Sequence, residues 1–248
     1  MRNPTPKPRA MVASLASRGV RRFATPKLTE LADAAAGFFP NVQAMAEELR
    51  IPWDARASDV FGGGQSKDQR AFPAEWDSGT ATSDLLNSVI LSARPRLVVE
   101  TGIANGVSTN AELDALLEVG KGRLVSFDID PNARGSVTNP EAQALWDCRI
   151  LPLERKPRIW RRFEADVSEM GQVDLWYHDG DHSWRWQGWE YSLALRKLSS
   201  TGILISDDID ASYAWLTVMA SAGVPWYAAI DQCKVIGITG PGLGRLGS

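Results

Sequence analysis

The chain has 248 residues, 44% of them hydrophobic and 23% charged, with a net charge of −3. This is ordinary globular usage, and it excludes collagen, a coiled coil and wholesale disorder. No window approaches the roughly 18 uncharged apolar residues of a membrane span, which excludes a spanning channel or transporter.

Two cysteines, Cys148 and Cys233, and two histidines, His178 and His182, are too few for a disulfide framework, a cysteine-rich zinc site or a multi-histidine metal site. The thiols are expected to be reduced and packed, in a cytoplasmic protein. Residues 1–27 form a basic arm holding Arg2, Lys7, Arg9, Arg18, Arg21, Arg22 and Lys27 and no acid. The remainder is therefore acidic, which argues against nucleic acid as the main substrate. The arm reads as a solvated tail. Its alternatives are contact with an anionic membrane surface through Met11, Val12, Leu15 and Phe23, and a transit-type targeting peptide.

Residues 28–79 read as a helical cap and lid loop. Thr25-Pro26 marks a helix start, Leu28 to Phe39 the helix, and Asn41 the cap of a second helix ending near Arg50. Residues 53–78, around Gly62-Gly63-Gly64, are expected to be a lid that selects the acceptor. Residues 80–248 read as the core, opened by a helix over 80–93. Strands are expected at 97–100, 124–129, 173–178 and 203–206, and helices at 108–119, 184–198 and 211–222. A helix, a strand and a helix fall between 134 and 172, and two closing strands at 226–230 and 235–239. Such alternation predicts an α/β fold with an open, mostly parallel sheet covered on both faces. Trp186, Trp189 and Leu193 share one side of a helix and Tyr191, Leu195 and Leu198 nearly the opposite side. The leucine side is expected to face the sheet, and the tryptophan side the N-terminal helices or a second subunit of a homo-oligomer.

Three segments carry chemistry. Glu100-Thr101-Gly102-Ile103-Ala104-Asn105-Gly106-Val107-Ser108-Thr109 follows a strand and opens a helix. Its glycines permit a tight turn and close backbone approach to a ligand, and the helix start offers free N–H groups. The Gly-x-x-x-Gly spacing departs from the dinucleotide fingerprint, and the Glu100 carboxylate would repel a pyrophosphate but suit an amino group. A plain strand–helix turn is the alternative. Asp128 ends the next strand, where an acid can accept from both ribose hydroxyls; Asp130 is its rival, and an exposed turn acid the plainer reading. His178-Asp179-Gly180-Asp181-His182 and Asp207-Asp208 both fall at the C-terminal strand edge, where ligands of open α/β sheets bind. Carboxylates converging there repel unless a cation is present, and a hard ion such as Mg²⁺ suits them. The alternative is solvated acids capping the following helices. His178 is expected to be structural.

The run Val98-Val99-Glu100-Thr101-Gly102, with Ser126-Phe127-Asp128 and Ile205-Ser206-Asp207-Asp208, resembles the class I S-adenosylmethionine (SAM)-dependent methyltransferases. Within that class, His178-Asp179-Gly180-Asp181-His182-Ser183 and Gly202-Ile203-Leu204-Ile205-Ser206-Asp207-Asp208 resemble the small-molecule O-methyltransferases. These include the macrocin-type and rhamnosyl enzymes, with the catechol and caffeoyl-CoA enzymes more distant. The resemblance spans roughly residues 80–240. It implies a Rossmann-like sheet with a terminal antiparallel hairpin, and SAM as cofactor. The matching signature assigns Glu100 and Gly102, with Ala104, Gly106 and Ser108, to the methionine part, and Asp128 to the ribose. Asp179 is expected to touch the cofactor as well. Asp179, Asp207 and Asp208 match the metal triad of the catechol-type enzymes, and His182 falls where those enzymes place a lysine general base. That departure leaves both base and metal open. The implied reaction is in-line methyl transfer to a hydroxyl of a small molecule, a sugar or secondary metabolite. His182, as a neutral imidazole, or a bound metal would assist deprotonation. The alternatives are a nicotinamide oxidoreductase and a binding module that kept the fold and lost catalysis.

Overall fold

Strands such as Leu97–Thr101 and Val173–His178 lack polar alternation, which marks strands covered on both faces. In the computed structural model, which describes residues 25–55, 72, 77–151 and 156–246, they lie at the centre of an eight-stranded sheet. The basic arm through residue 24, and most of the expected lid (56–71 and 73–76), lie outside the described residues.

The strands are β1 (Gly37–Phe39), β2 (Leu97–Thr101), β3 (Arg123–Asp128), β4 (Trp146–Ile150), β5 (Val173–His178), β6 (Leu198–Ser206), β7 (Trp226–Asp231) and β8 (Lys234–Thr239). Their spatial order is β1-β7-β8-β6-β5-β2-β3-β4. The run β6-β5-β2-β3-β4 is parallel; β8 is antiparallel to both β6 and β7, and β1 is parallel to β7. This is the expected mostly parallel Rossmann-like sheet with its terminal hairpin. The chain moves outward from β2 through β3 and β4, then returns to β5 on the other side of β2. The gap between β2 and β5 is thus the switch point of the sheet, where open α/β sheets form their ligand crevice.

The helices are α1 (Leu28–Ala34), α2 (Val42–Glu48), α3 (Thr80–Ala93), α4 (Val107–Val119), α5 (Pro140–Ala144), α6 (Lys156–Glu169), α7 (Trp184–Lys197) and α8 (Ala214–Ala222). One face of the sheet is covered through Val42, Met45, Leu85, Val89, Leu113 and Leu116. The other is covered through Leu31, Phe163, Tyr191, Ala194, Trp215 and Met219. Asn41 caps α2 as expected, its Oδ1 accepting from the Ala44 N–H at 2.8 Å. Gly120 ends α4 in the left-handed region.

Two expectations are corrected. The helix expected over 28–39 ends at Ala34, and Gly37-Phe38-Phe39 instead pairs with Tyr227-Ala228-Ala229 of β7. Glycine is a poor helix residue, and the open edge of β7 offers these three residues a ladder. Residues 28–55 therefore join the core, giving the sheet a strand and each face a helix. The tryptophan side of α7, expected to meet the N-terminal helices or a second subunit, packs against α6. Trp186 and Trp189 pack on Trp160 of α6 at 5.2 and 4.7 Å, and on Phe163 at 5.9 and 5.5 Å. Neighbouring helices on one face of a sheet bury their flanks against each other, and the wide rings fill that groove. Of the thiols, Cys148 is half-buried and burial pushes it up to about 11, but Cys233, in the β7–β8 turn, is exposed rather than packed.

Candidate active site

After β2 the backbone turns through left-handed conformations at Gly102 (φ 84°), Ala104 (φ 45°) and Gly106 (φ 77°). At Gly102 only glycine fits. A Cβ there would stand 2.6 Å from the Asp179 carbonyl carbon and closer still to its oxygen. The Asp179 N–H donates to the Thr101 carbonyl at 2.8 Å, tying the end of β5 to the turn.

Glu100 lies beneath this turn and is fully buried. Strand alternation sends it to the same face as Val98, toward α4. There it accepts from Ser108 Oγ (2.7 Å), Thr109 Oγ1 (2.9 and 3.0 Å) and Ser126 Oγ (2.6 Å). Burial raises its pKa to about 7, against the lowering effect of those hydroxyls, and the Asp179 charge adds to the rise. Ser108, also buried, gives its hydroxyl to Glu100. Both residues therefore support the turn from below. A carboxyl raised in this way keeps its proton in the folded state between its ordinary value and about 7, so folded stability falls as pH rises across that window. Glu100→Gln removes the titration. The stability difference between Glu100→Gln and wild type should move in favour of the glutamine by about 3 kcal/mol between pH 4 and pH 8. Denaturant unfolding at the two pH values measures it, and a pH-independent difference would refute this assignment.

Asp128 pins the turn from the side. Its Oδ2 accepts from the N–H groups of Ile103 (2.8 Å) and Ala104 (3.2 Å), and its Oδ1 from those of Ile129 (2.6 Å) and Asp130 (2.9 Å). Asp130 instead caps the 3₁₀ turn that follows, accepting from the Asn132 N–H at 2.9 Å. Of the two rivals, Asp128 is the acid at the glycine turn.

His178, expected to be structural, faces Glu190 of α7. It is buried with Nδ1 3.0 Å from Glu190 Oε2 and 3.2 Å from Thr101 Oγ1. Glu190 of α7 also accepts from Thr101 Oγ1 (2.7 Å), Trp176 Nε1 (3.0 Å) and Trp186 Nε1 (2.6 Å). Burial would raise the Glu190 carboxyl, but His178, Thr101 and Trp176 together hold it below its ordinary value.

Beyond the strand ends, Asp179, His182, Asp207 and Asp208 do come together. Asp179 Oδ2 accepts from Ser78 Oγ (2.9 Å) and Tyr177 OH (3.2 Å). Its Oδ1 lies 3.6 Å from His182 Nε2, and His182 Nδ1 lies 3.2 Å from Asp208 Oδ2. Lys234, the first residue of β8, donates from Nζ to Asp207 Oδ2 at 2.7 Å and stands 3.9 Å from Asp208 Oδ2. Burial works to raise Asp179, but the hydrogen bond and charge of His182, the Lys234 charge and the Ser78 hydroxyl bring it below the ordinary value. Burial and the Asp179 charge push Asp207 up against the pull of Lys234. For His182, burial favours the neutral ring, but the Asp179 hydrogen bond and the charges of Asp179, Asp208 and Asp207 outweigh it and raise the pKa. The flanking carboxylates thus favour the imidazolium relative to the ordinary imidazole expected from sequence.

The Mg²⁺ expectation fares differently from the carboxylate cluster itself. Among the described residues, no three His, Cys, Asp or Glu side chains form a group able to hold a metal ion. The Lys234 ammonium stands beside Asp207 and Asp208. The described residues, so balanced, do not fit a divalent ion. Lys234, Ser78, Tyr177 and Glu190 are the participants that sequence reasoning missed. None of them lies in a motif, and only the period-two neighbour Tyr177 had a readable position.

A pocket of about 620 Å³ opens nearby, lined among others by Asn41, Trp53, Thr80, Asp84 and Asp231. The Ser78-Gly79 segment runs from Asp179, which Ser78 bonds, to Thr80 in the lining of this pocket. Gly79 packs so closely on the Asp231 carboxylate that a Cβ would collide with it.

Residues 99–209 match a family model described as a methyltransferase domain. Three solved structures share the architecture. A proposed O-methyltransferase from Klebsiella pneumoniae is 15% identical with a TM-score of 0.57, over 79% of this chain and 94% of that one. The O-methyltransferase from Bacillus cereus in complex with SAH is 15% identical with a TM-score of 0.52, over 80% and 96%. TomG from Streptomyces achromogenes, an O-methyltransferase involved in tomaymycin synthesis and solved with SAM, is 16% identical with a TM-score of 0.51, over 81% and 95%. No curated protein matches the chain in sequence. The matched domain spans less than half of the chain, and the solved structures share its fold, with the sheet order and the glycine turn at the switch point described above. No helix among the described residues is long and apolar enough to cross a membrane.

Proposed function

We propose that the protein is a SAM-dependent O-methyltransferase acting on a hydroxyl of a small molecule. The observation that carries the reading is the seam between Thr101 and Asp179. There the glycine turn suited to a methyl donor directly adjoins the carboxylate–histidine cluster suited to an alcohol.

The turn fits SAM. Its backbone is left-handed at three positions, Asp128 lies at its rim, and the buried Ser136 Oγ beside Gly106 has no partner among the described residues. In this reading the backbone of Gly102, Ala104 and Gly106 cradles the methionine part. Glu100 and Ser108 shape the cradle from below, Asp128 offers its carboxylate to the ribose hydroxyls, and Asp179 borders the methyl group. Bound there, SAM supplies an electrophilic methyl carbon on a sulfonium. The protein's own task is to hold the acceptor oxygen in line with that carbon, and such orientation lowers barriers by about 7–11 kcal/mol. In its neutral form His182 takes the hydroxyl proton at Nε2, which has no hydrogen-bond partner among the described residues; Asp179 and Asp208 stabilise the imidazolium formed. Two free cysteines accord with a reducing, cytoplasmic setting.

Calorimetric titration with S-adenosylhomocysteine is the direct test. Micromolar binding is expected, weakened about tenfold or more by Asp128→Ala, because that change releases the turn as well as the ribose acceptor. No binding to the wild type would overturn the reading. Transfer to a panel of hydroxylated acceptors, followed by mass spectrometry, then identifies the substrate.

A further inference from the structure

Three acids at the ends of β5 and β6 have the composition of a divalent-ion site, but Lys234 or His182 already stands against each of them. Lys234 reaches them because the β7–β8 turn, left-handed at Gln232, starts β8 beside the end of β6. The backbone is clamped there: the Ile209 N–H donates to the Val235 carbonyl at 3.0 Å, and the Val235 N–H to Asp210 Oδ1 at 3.1 Å. The ammonium consequently stands 2.7 Å from the fully buried Asp207 carboxylate and 3.9 Å from Asp208. On the other side His182 lies between Asp208 and Asp179. A divalent ion drawing on Asp207 and Asp208 would have to expel the ammonium or sit against it, and like charges in a buried site repel strongly.

We propose that Lys234 is the resident cation of this site, in the place where a metal ion would otherwise balance Asp207 and Asp208, and that removing its charge uncovers a divalent-cation site formed with Asp179. For the transfer reaction proposed above, on which this part rests, the acceptor hydroxyl meets an ammonium rather than a metal ion. Lys234 has N–H donors beyond the one given to Asp207, and its side chain is 20% exposed, so it can hold the acceptor oxygen as negative charge develops.

The test uses Mn²⁺ as probe on the full chain. Electron paramagnetic resonance measures free ion, and the thermal midpoint is followed with and without it. The wild type and Lys234→Arg are expected to show no saturable binding below about millimolar Mn²⁺. Lys234→Ala is expected to bind about tenfold or more tightly than the wild type, and only its midpoint should rise with the ion. Micromolar binding by the wild type overturns the proposal, whatever the variants do. So does a folded Lys234→Ala protein that binds no better than the wild type; Lys234→Met, which keeps the side-chain volume, serves if the alanine variant does not fold. S-adenosylhomocysteine affinity should be equal in EDTA and in Mg²⁺. Failure to bind S-adenosylhomocysteine at all would refute the methyltransferase reading and leave the Mn²⁺ result to decide this one.

Discussion

Glu190→Ala is expected to destabilise the protein by about 3–5 kcal/mol, the range for removing one partner of a buried charged network. The variant leaves the indole N–H groups of Trp176 and Trp186 and the Thr101 hydroxyl without this acceptor, and His178 Nδ1 with Thr101 Oγ1 alone. Of these residues Trp176, Thr101 and His178 are themselves buried, and an unpaired buried donor carries its full desolvation penalty. Glu190→Gln should be milder, since it keeps the volume and one acceptor oxygen. The sign with pH follows from the lowered carboxyl value. A group whose folded value lies below its unfolded one contributes stability above the unfolded value and loses it as pH falls through the folded value. The gap between wild type and Glu190→Gln should therefore narrow in acid. Denaturant unfolding measures both effects, and a loss below about 1 kcal/mol for Glu190→Ala would show that the network is not the tie assigned here.

Gly102→Ala is expected to weaken S-adenosylhomocysteine binding about 100-fold, with a stability loss of about 2–4 kcal/mol. The added methyl meets backbone, the Asp179 carbonyl and the Gly180 Cα, and backbone cannot rotate away as a side chain can. Either the turn or the start of the β5 loop must shift. Gly120 is the internal control. It is also left-handed, at φ 69°, but nothing lies within 4 Å of a Cβ there. Gly120→Ala should cost about 1 kcal/mol and leave binding unchanged. Calorimetry and unfolding on the three proteins decide the matter. Equal affinity for Gly102→Ala and wild type would remove the turn from the cofactor site.

The central strands were legible because their information is local. Val173–His178 is an apolar run bounded by turn residues, and α3 begins and ends where its composition changes. Gly102, Asp128, Asp179, Asp207 and Asp208 were placed at one edge by strand order alone. What sequence could not supply was non-local. Gly37-Phe38-Phe39 becomes a strand because β7, some 190 residues later, has a free edge. Lys234 reaches Asp207 across a hairpin whose register depends on β6. The pKa of His182 depends on three acids from two loops, so its residue type was readable and its protonation was not. The inward direction of Glu100 was available from period-two alternation with Val98, but its hydroxyl partners on α4 and β3 were not.

The hydrogen bond from Asp179 to Thr101 joins adjacent parallel strands, and Gly102 lies flat against the Asp179 carbonyl with no side chain between them. The two halves of the site therefore share one backbone hinge. Under the proposed function, a substitution that displaces the glycine turn should therefore displace Asp179 as well, so that donor and acceptor binding are lost together rather than one at a time.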